Sequence, residues 1–115
     1  MKILNKSAND MKKSEIFGMT KDAKMHKMSD HVGLRIDIDK WLHYVDENTQ
    51  GDKVEILSLK STDGEVYATN SATFKQQFFA ILDMLEGESV DAVEVVSGTS
   101  KNGREYITCS YVGDK

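Results

Sequence analysis

The chain has 115 residues, 39% hydrophobic and 30% charged, with fifteen basic against nineteen acidic side chains and a net charge of −4. That length suits one domain burying roughly two-thirds of its unfolded surface. No apolar run of about eighteen residues offers a membrane span, a single cysteine cannot form an internal disulfide, and the acid excess argues against a uniformly basic nucleic-acid binder.

Residues 1–30 carry seven lysines and four acids, net +3, against −7 for residues 31–115. Any electropositive surface must therefore be local. The first segment has weak periodicity, with Ile16, Phe17 and Met19 as a small apolar group and one or two helical turns expected over Asp22–Met28. It reads as a basic, Met- and Lys-rich N-terminal arm, its second half packed on a domain spanning 31–115. Met1-Lys2-Ile3-Leu4-Asn5 lacks the apolar core of a secretory signal. With the lone Cys109, this points to a cytoplasmic protein.

Val32, Leu34, Ile36 and Ile38 alternate with polar residues, the period of a half-buried strand continuing to Val45. The polar loop Asp46–Asp52 leads to a second strand, Lys53–Lys60. Asp63-Gly64 then marks a hairpin into a short third strand, Glu65–Thr69. Ser71–Glu86 is the one stretch with sustained helical periodicity, since Phe74, Phe78, Ile81, Leu82 and Leu85 form a single apolar stripe. Asn70 or Ser71 can cap its start and Gly87 its end. Two more strands follow, Val90–Ser97 and Arg104–Val112, joined by a turn with Asn102-Gly103 at its tip, where positive φ is expected. The whole predicts a mainly β domain with one helix: a five-stranded, OB-fold-like barrel in the order β-β-β-α-β-β.

Gly98–Gly103 has the glycine spacing of a phosphate loop, but Arg104-Glu105 and a strand follow where that motif needs Lys-Ser/Thr and a helix. His26, Asp30 and His31 match no metal-ligand spacing, and no acid–base or nucleophile constellation emerges. Cys109, within a strand, reads as a buried structural thiol. The aromatics point elsewhere. Trp41, Tyr44, Tyr67, Tyr106 and Tyr111 fall in strands and interleave with Arg35, Lys53, Lys60, Lys101 and Arg104. Single-stranded nucleic acid is held by such a mixture, with bases stacked on rings and phosphates met by cations. Unbroken alternation from Val32 turns Trp41 outward beside Arg35, as a stacking platform; a bulge in so long a strand would swing it into the core.

The segment Val93–Ser110, with its Gly98-Thr99-Ser100-Lys101-Asn102-Gly103 turn, resembles the last hairpin of a phage family. That family comprises the single-stranded-DNA-binding proteins of phages that replicate by protein priming and of related phages of Gram-positive bacteria. Asp63–Thr69, followed by a helix, resembles the matching upstream stretch, so the likeness spans residues 32–112 in pattern. It implies a non-enzymatic OB-fold protein, without cofactor or metal, that coats displaced single strands during phage DNA replication in the host cytoplasm, with replication proteins as further partners. The DNA contacts are then expected at Arg35, Trp41, Tyr44, Lys53, Tyr67, Lys101, Arg104 and Tyr106. The alternative is a small β-barrel protein–protein interaction module of a phage or prophage.

Overall fold

A computed structural model describes residues 1–113, and Asp114 and Lys115, the end of the expected domain, lie outside the described residues. The chain runs β1 (Lys2–Lys6), α1 (Lys13–Thr20), β2 (His26–Lys27), a 3₁₀ turn (Met28–His31), β3 (Arg35–Glu47), β4 (Lys53–Ser61) and β5 (Val66–Thr69). It continues through α2 (Ala72–Met84), β6 (Ala92–Thr99) and β7 (Glu105–Val112). The strands form one sheet in the order β2-β5-β4-β3-β6-β7, with β1 added on β3, curled into a half-barrel. The expected succession of three strands, a helix and two strands is present as β3-β4-β5-α2-β6-β7. The count of five strands and one helix is corrected: the described chain has seven strands and two α-helices. The additions come from residues 1–30, which pair with β3 and β5 through β1 and β2.

The thirteen-residue β3 organises the sheet, pairing with β4 over Ile38–Glu47, with β6 over Arg35–Asp37 and with β1 over Leu42–Val45. It begins later than the alternation of Val32 suggests. Gly33, at φ +90°, breaks the extended chain while its N–H donates to Val95 O at 2.7 Å, and Val32 is left half exposed. Ile38 faces Ser61 and Lys40 faces Lys60, so Asp39 is an extra residue in a β-bulge. One extra residue reverses the parity of everything after it. Trp41 consequently points into the core at 9% exposure, edge-on to Phe78 and Phe79 at 5.7 and 5.9 Å. The outward Trp41 expected from unbroken alternation is thus overturned.

Both faces of the sheet are covered. On one, Trp41, Leu57 and Leu59 meet Phe74, Phe78 and Ile81 of α2, with Val93, Val95 and Ile107 completing the core. Ser71 caps α2 as expected, its hydroxyl accepting from Phe74 N–H at 3.2 Å. On the opposite face Leu42, Tyr44 and Val66 are buried beneath Met11 and Met19. Each such side chain contributes roughly 1.5–3 kcal/mol when fully buried. Tyr44 is 1% exposed and its hydroxyl lies 3.5 Å from Met19 O, which also accepts from Ser58 Oγ at 2.6 Å. Tyr44 therefore offers no free ring face, and its burial pushes the phenol pKa up.

The N-terminal cover is also clasped by charge. The Glu15 carboxylate accepts from Lys40 Nζ at 2.8 Å and from Lys60 Nζ at 3.0 Å. Hydrogen bonds from Lys40 and then Lys60 hold the Glu15 carboxyl below its ordinary value of 4.5. A depressed folded pKa contributes stability that is fully present above the unfolded value and is lost as pH falls through the folded one. Wild type should therefore lose more melting temperature than Glu15→Gln between about pH 5 and pH 3, the other carboxylates being common to both. Parallel pH–Tm curves for the two proteins would contradict this role for the clasp.

Candidate nucleic-acid interface

The β6–β7 hairpin is built from alternating residues that bury Val93, Val95, Ile107 and Cys109 on one face. Its tip is a turn in which Gly103 N–H donates to Ser100 O at 2.9 Å and Ser100 N–H donates to Arg104 O at 2.8 Å. The Ser100 hydroxyl accepts from Arg104 N–H at 3.2 Å. Gly103 alone takes positive φ here, +79°, so the expected left-handed pair is reduced to one residue and Asn102 keeps negative φ. Lys101 and Arg104 flank this tip, exposed, and neither forms an ion pair among the described residues. Side chains so placed keep their full charge for an incoming anion.

Tyr106, the second residue of β7, faces Gly98 across the hairpin. Its ring lies over that glycine so closely that a Cβ at position 98 would sit 2.5 Å from the ring carbon Cζ. The missing side chain at Gly98 thus lets the tyrosine lie along the sheet, with 38% of its surface exposed. The ring borders a cleft of about 490 Å³ between β7, the start of α2 and the end of β5. Val32, Thr69, Ser71, Ser97 and Ile107 line it as well, giving hydroxyl groups around an apolar floor, together with the carboxylate residue Glu105. Ser71 spans the gap, donating its hydroxyl to Ile107 O at 3.0 Å.

Tyr67 sits on β5, outside the cleft lining, stacked on His26 with ring centroids 5.1 Å apart and edge-on to His31 at 5.4 Å. Burial, then Asp63 and Glu65, push its phenol pKa up. Two of the expected cations are less available. Arg35 is exposed, but its Nε donates to Asp37 Oδ1 at 3.0 Å and the residue stands opposite Glu94. Lys53 lies opposite Glu47 at the far end of β3, and at ~3.3 Å per residue roughly 40 Å of strand path separates it from Arg35. The eight expected residues therefore divide. Lys101, Arg104 and Tyr106 share one hairpin, and Tyr67 lies on β5 against His26 and His31. Arg35 begins β3 while Lys53 begins β4 opposite the far end of β3, and Trp41 and Tyr44 are buried on opposite faces of the sheet.

Sequence reasoning missed Glu15, Lys40 and the role of Lys60, because the clasp joins positions 25 and 45 residues apart. Fold and site together define a mainly β half-barrel with a cationic hairpin tip beside a cleft bordered by Tyr106, in which no helix of the described residues is long and apolar enough to cross a membrane. No protein-family model, curated protein or solved structure matches the chain.

Proposed function

We propose that this protein binds single-stranded DNA, without catalysis or cofactor, and coats single strands during phage DNA replication in the host cytoplasm. One observation carries the reading: the exposed Tyr106 ring lies, at the mouth of the cleft, on the same hairpin as Lys101 and Arg104, which form no ion pair among the described residues. A base stacked on Tyr106 would leave its flanking phosphates within the field of the two cations. The order β3-β4-β5-α2-β6-β7 is that of an OB-fold, which supports the reading because such barrels bind strands with the loops between their first two and last two strands. Those loops correspond here to Asn48–Asp52, next to Lys53, and to Ser100–Arg104.

Titration of fluorescein-labelled oligo-dT tests the proposal. Lys101→Ala with Arg104→Ala should weaken binding about tenfold at low salt and flatten the log–log salt slope by about 1.4, at roughly 0.7 per lost phosphate contact. Tyr106→Ala should cost about 1–3 kcal/mol of affinity. All three side chains are exposed, so the melting temperature should hold. Absence of binding at low salt, or variants that bind like wild type, would refute the assignment.

A second reading follows from β7, which pairs with β6 alone and leaves its other edge for an added strand. As a protein-binding module, whether for a replication protein or another partner, the molecule would give no oligonucleotide signal in the same titration.

A further inference from the structure

Lys40 and Lys60 stand directly opposite each other on β3 and β4. Like charges in that position repel and weaken a sheet, so the pair calls for an anion. Glu15 supplies one, presenting its two carboxylate oxygens to the two ammonium groups at 2.8–3.0 Å. The site is not sealed: an opening of about 500 Å³ lies over the pair, bordered also by Asp10, Lys12 and Ser14. Three lysines and a hydroxyl thus surround a solvent-open space whose bound anion belongs to the protein itself. The non-bridging oxygens of a phosphodiester present the same two-oxygen face to two ammonium groups.

The element that delivers Glu15 is weakly built at that end. α1 has eight residues, contains Gly18, and starts at Lys12 with no side-chain cap on its free N–H groups. Helices this short and uncapped depend on outside contacts for their order. The other end is anchored, since Met19 is fully buried and its carbonyl accepts from Ser58. Met11, just before the first turn, and Ile16, at its end, pack on Leu42, Tyr44 and Val66, so the part that can open is the short stretch Lys12–Glu15 between them.

We propose that Lys40 and Lys60, with Lys12, form a phosphate-binding site that Glu15 occupies in the free protein. A backbone phosphate of a bound strand replaces the carboxylate and releases the first turn of α1. The N-terminal segment is then a competitive guard on a second phosphate contact, on the sheet face opposite α2. Asp10 and Asp39 also place negative charge near Lys40 and oppose an external anion, so the phosphate can enter only as the Glu15 carboxylate leaves. The inference rests on the nucleic-acid reading only for the source of the phosphate; the charge exchange does not depend on the hairpin.

The experiment is titration of Glu15→Gln, full chain, with oligo-dT and separately with inorganic phosphate at matched ionic strength. Oligo-dT should bind about tenfold more tightly than to wild type at low salt, because a charge-assisted competitor has been removed. The salt slope should steepen by about 0.7 for the one added phosphate contact. Adding Lys40→Gln and Lys60→Gln should abolish the gain. Adding Lys101→Ala and Arg104→Ala should leave it intact, which separates failure of this proposal from failure of the hairpin assignment. In wild type, saturation with oligo-dT should speed hydrogen exchange over residues 16–18, whose N–H groups bond back onto the first turn, and leave residues 56–59 protected. That measurement stands even if Glu15→Gln is poorly folded. The proposal is overturned if Glu15→Gln binds no more tightly, if the gain survives loss of both lysines, or if residues 16–18 become more protected on binding. A response to inorganic phosphate with none to oligo-dT would reassign the site to a free ion and overturn the guard.

Discussion

Trp41→Ala is expected to cost about 3–5 kcal/mol of folding stability, the range for removing a large aromatic from a core. For a chain of this size that lowers the melting temperature by roughly 10–20 °C. The ring touches Phe78 and Phe79 edge-on, and the backbone of the same residue fastens β1: its N–H donates to Ser7 Oγ at 2.9 Å and its carbonyl accepts from Ser7 N–H at 3.1 Å. The backbone bonds survive the substitution, so the loss reports the ring. Emission from this single tryptophan should be blue-shifted, protected from iodide, and unchanged by oligo-dT, because at 9% exposure no base can stack on it. Red-shifted, quenchable emission together with a stable Trp41→Ala protein would mean that the bulge at Asp39 is absent in solution.

Ser71→Ala should be the second most damaging of these changes. Its hydroxyl does two things at once, accepting from Phe74 N–H to start α2 and donating to Ile107 O on β7. Loss of an N-cap costs about 1 kcal/mol, and a carbonyl left without its partner costs about 1–3 kcal/mol more. A fall of roughly 2–4 kcal/mol, or about 8–16 °C in Tm, is expected. Ser71→Thr keeps the hydroxyl and should restore most of it. Hydrogen exchange should also quicken along β7, since this side chain ties the start of α2 to that strand. A Tm within about 2 °C of wild type would show that α2 and the core hold β7 without the hydroxyl.

Much of the architecture is legible in local patterns because local physics decides it. The stripe Phe74–Leu85 has one face to bury and buries it, with Phe74, Phe78 and Ile81 in the core. Alternation over Val90–Ser97 and Arg104–Val112, with a turn between them, returns as the β6–β7 hairpin in continuous register from Ala92↔Val112 to Thr99↔Glu105. Cys109 is a buried thiol as its strand setting implied, its pKa pushed up to about 12 by burial. The hairpin half of the proposed site, Lys101, Arg104 and Tyr106, belongs to this legible part because its three residues lie within six positions of one another.

What the one-dimensional pattern by itself determined is therefore the element succession from β3 onward, the helix cap, the hairpin and the local charge at its tip. Only the tertiary structure decided on which side of the sheet Trp41 and Tyr44 would be buried, and that residues 1–30 would cover one face of it over β3, β4 and β5. The reason is physical. A bulge is chosen by the packing on both sides of a strand, and here Phe78 and Phe79 on one side and Met19 on the other reward the extra residue at Asp39. Glu15 has no local reason to seek Lys40 and Lys60. It meets them because α1, with no strong helical pattern of its own, is held where Met11 and Met19 can close over Leu42, Tyr44 and Val66.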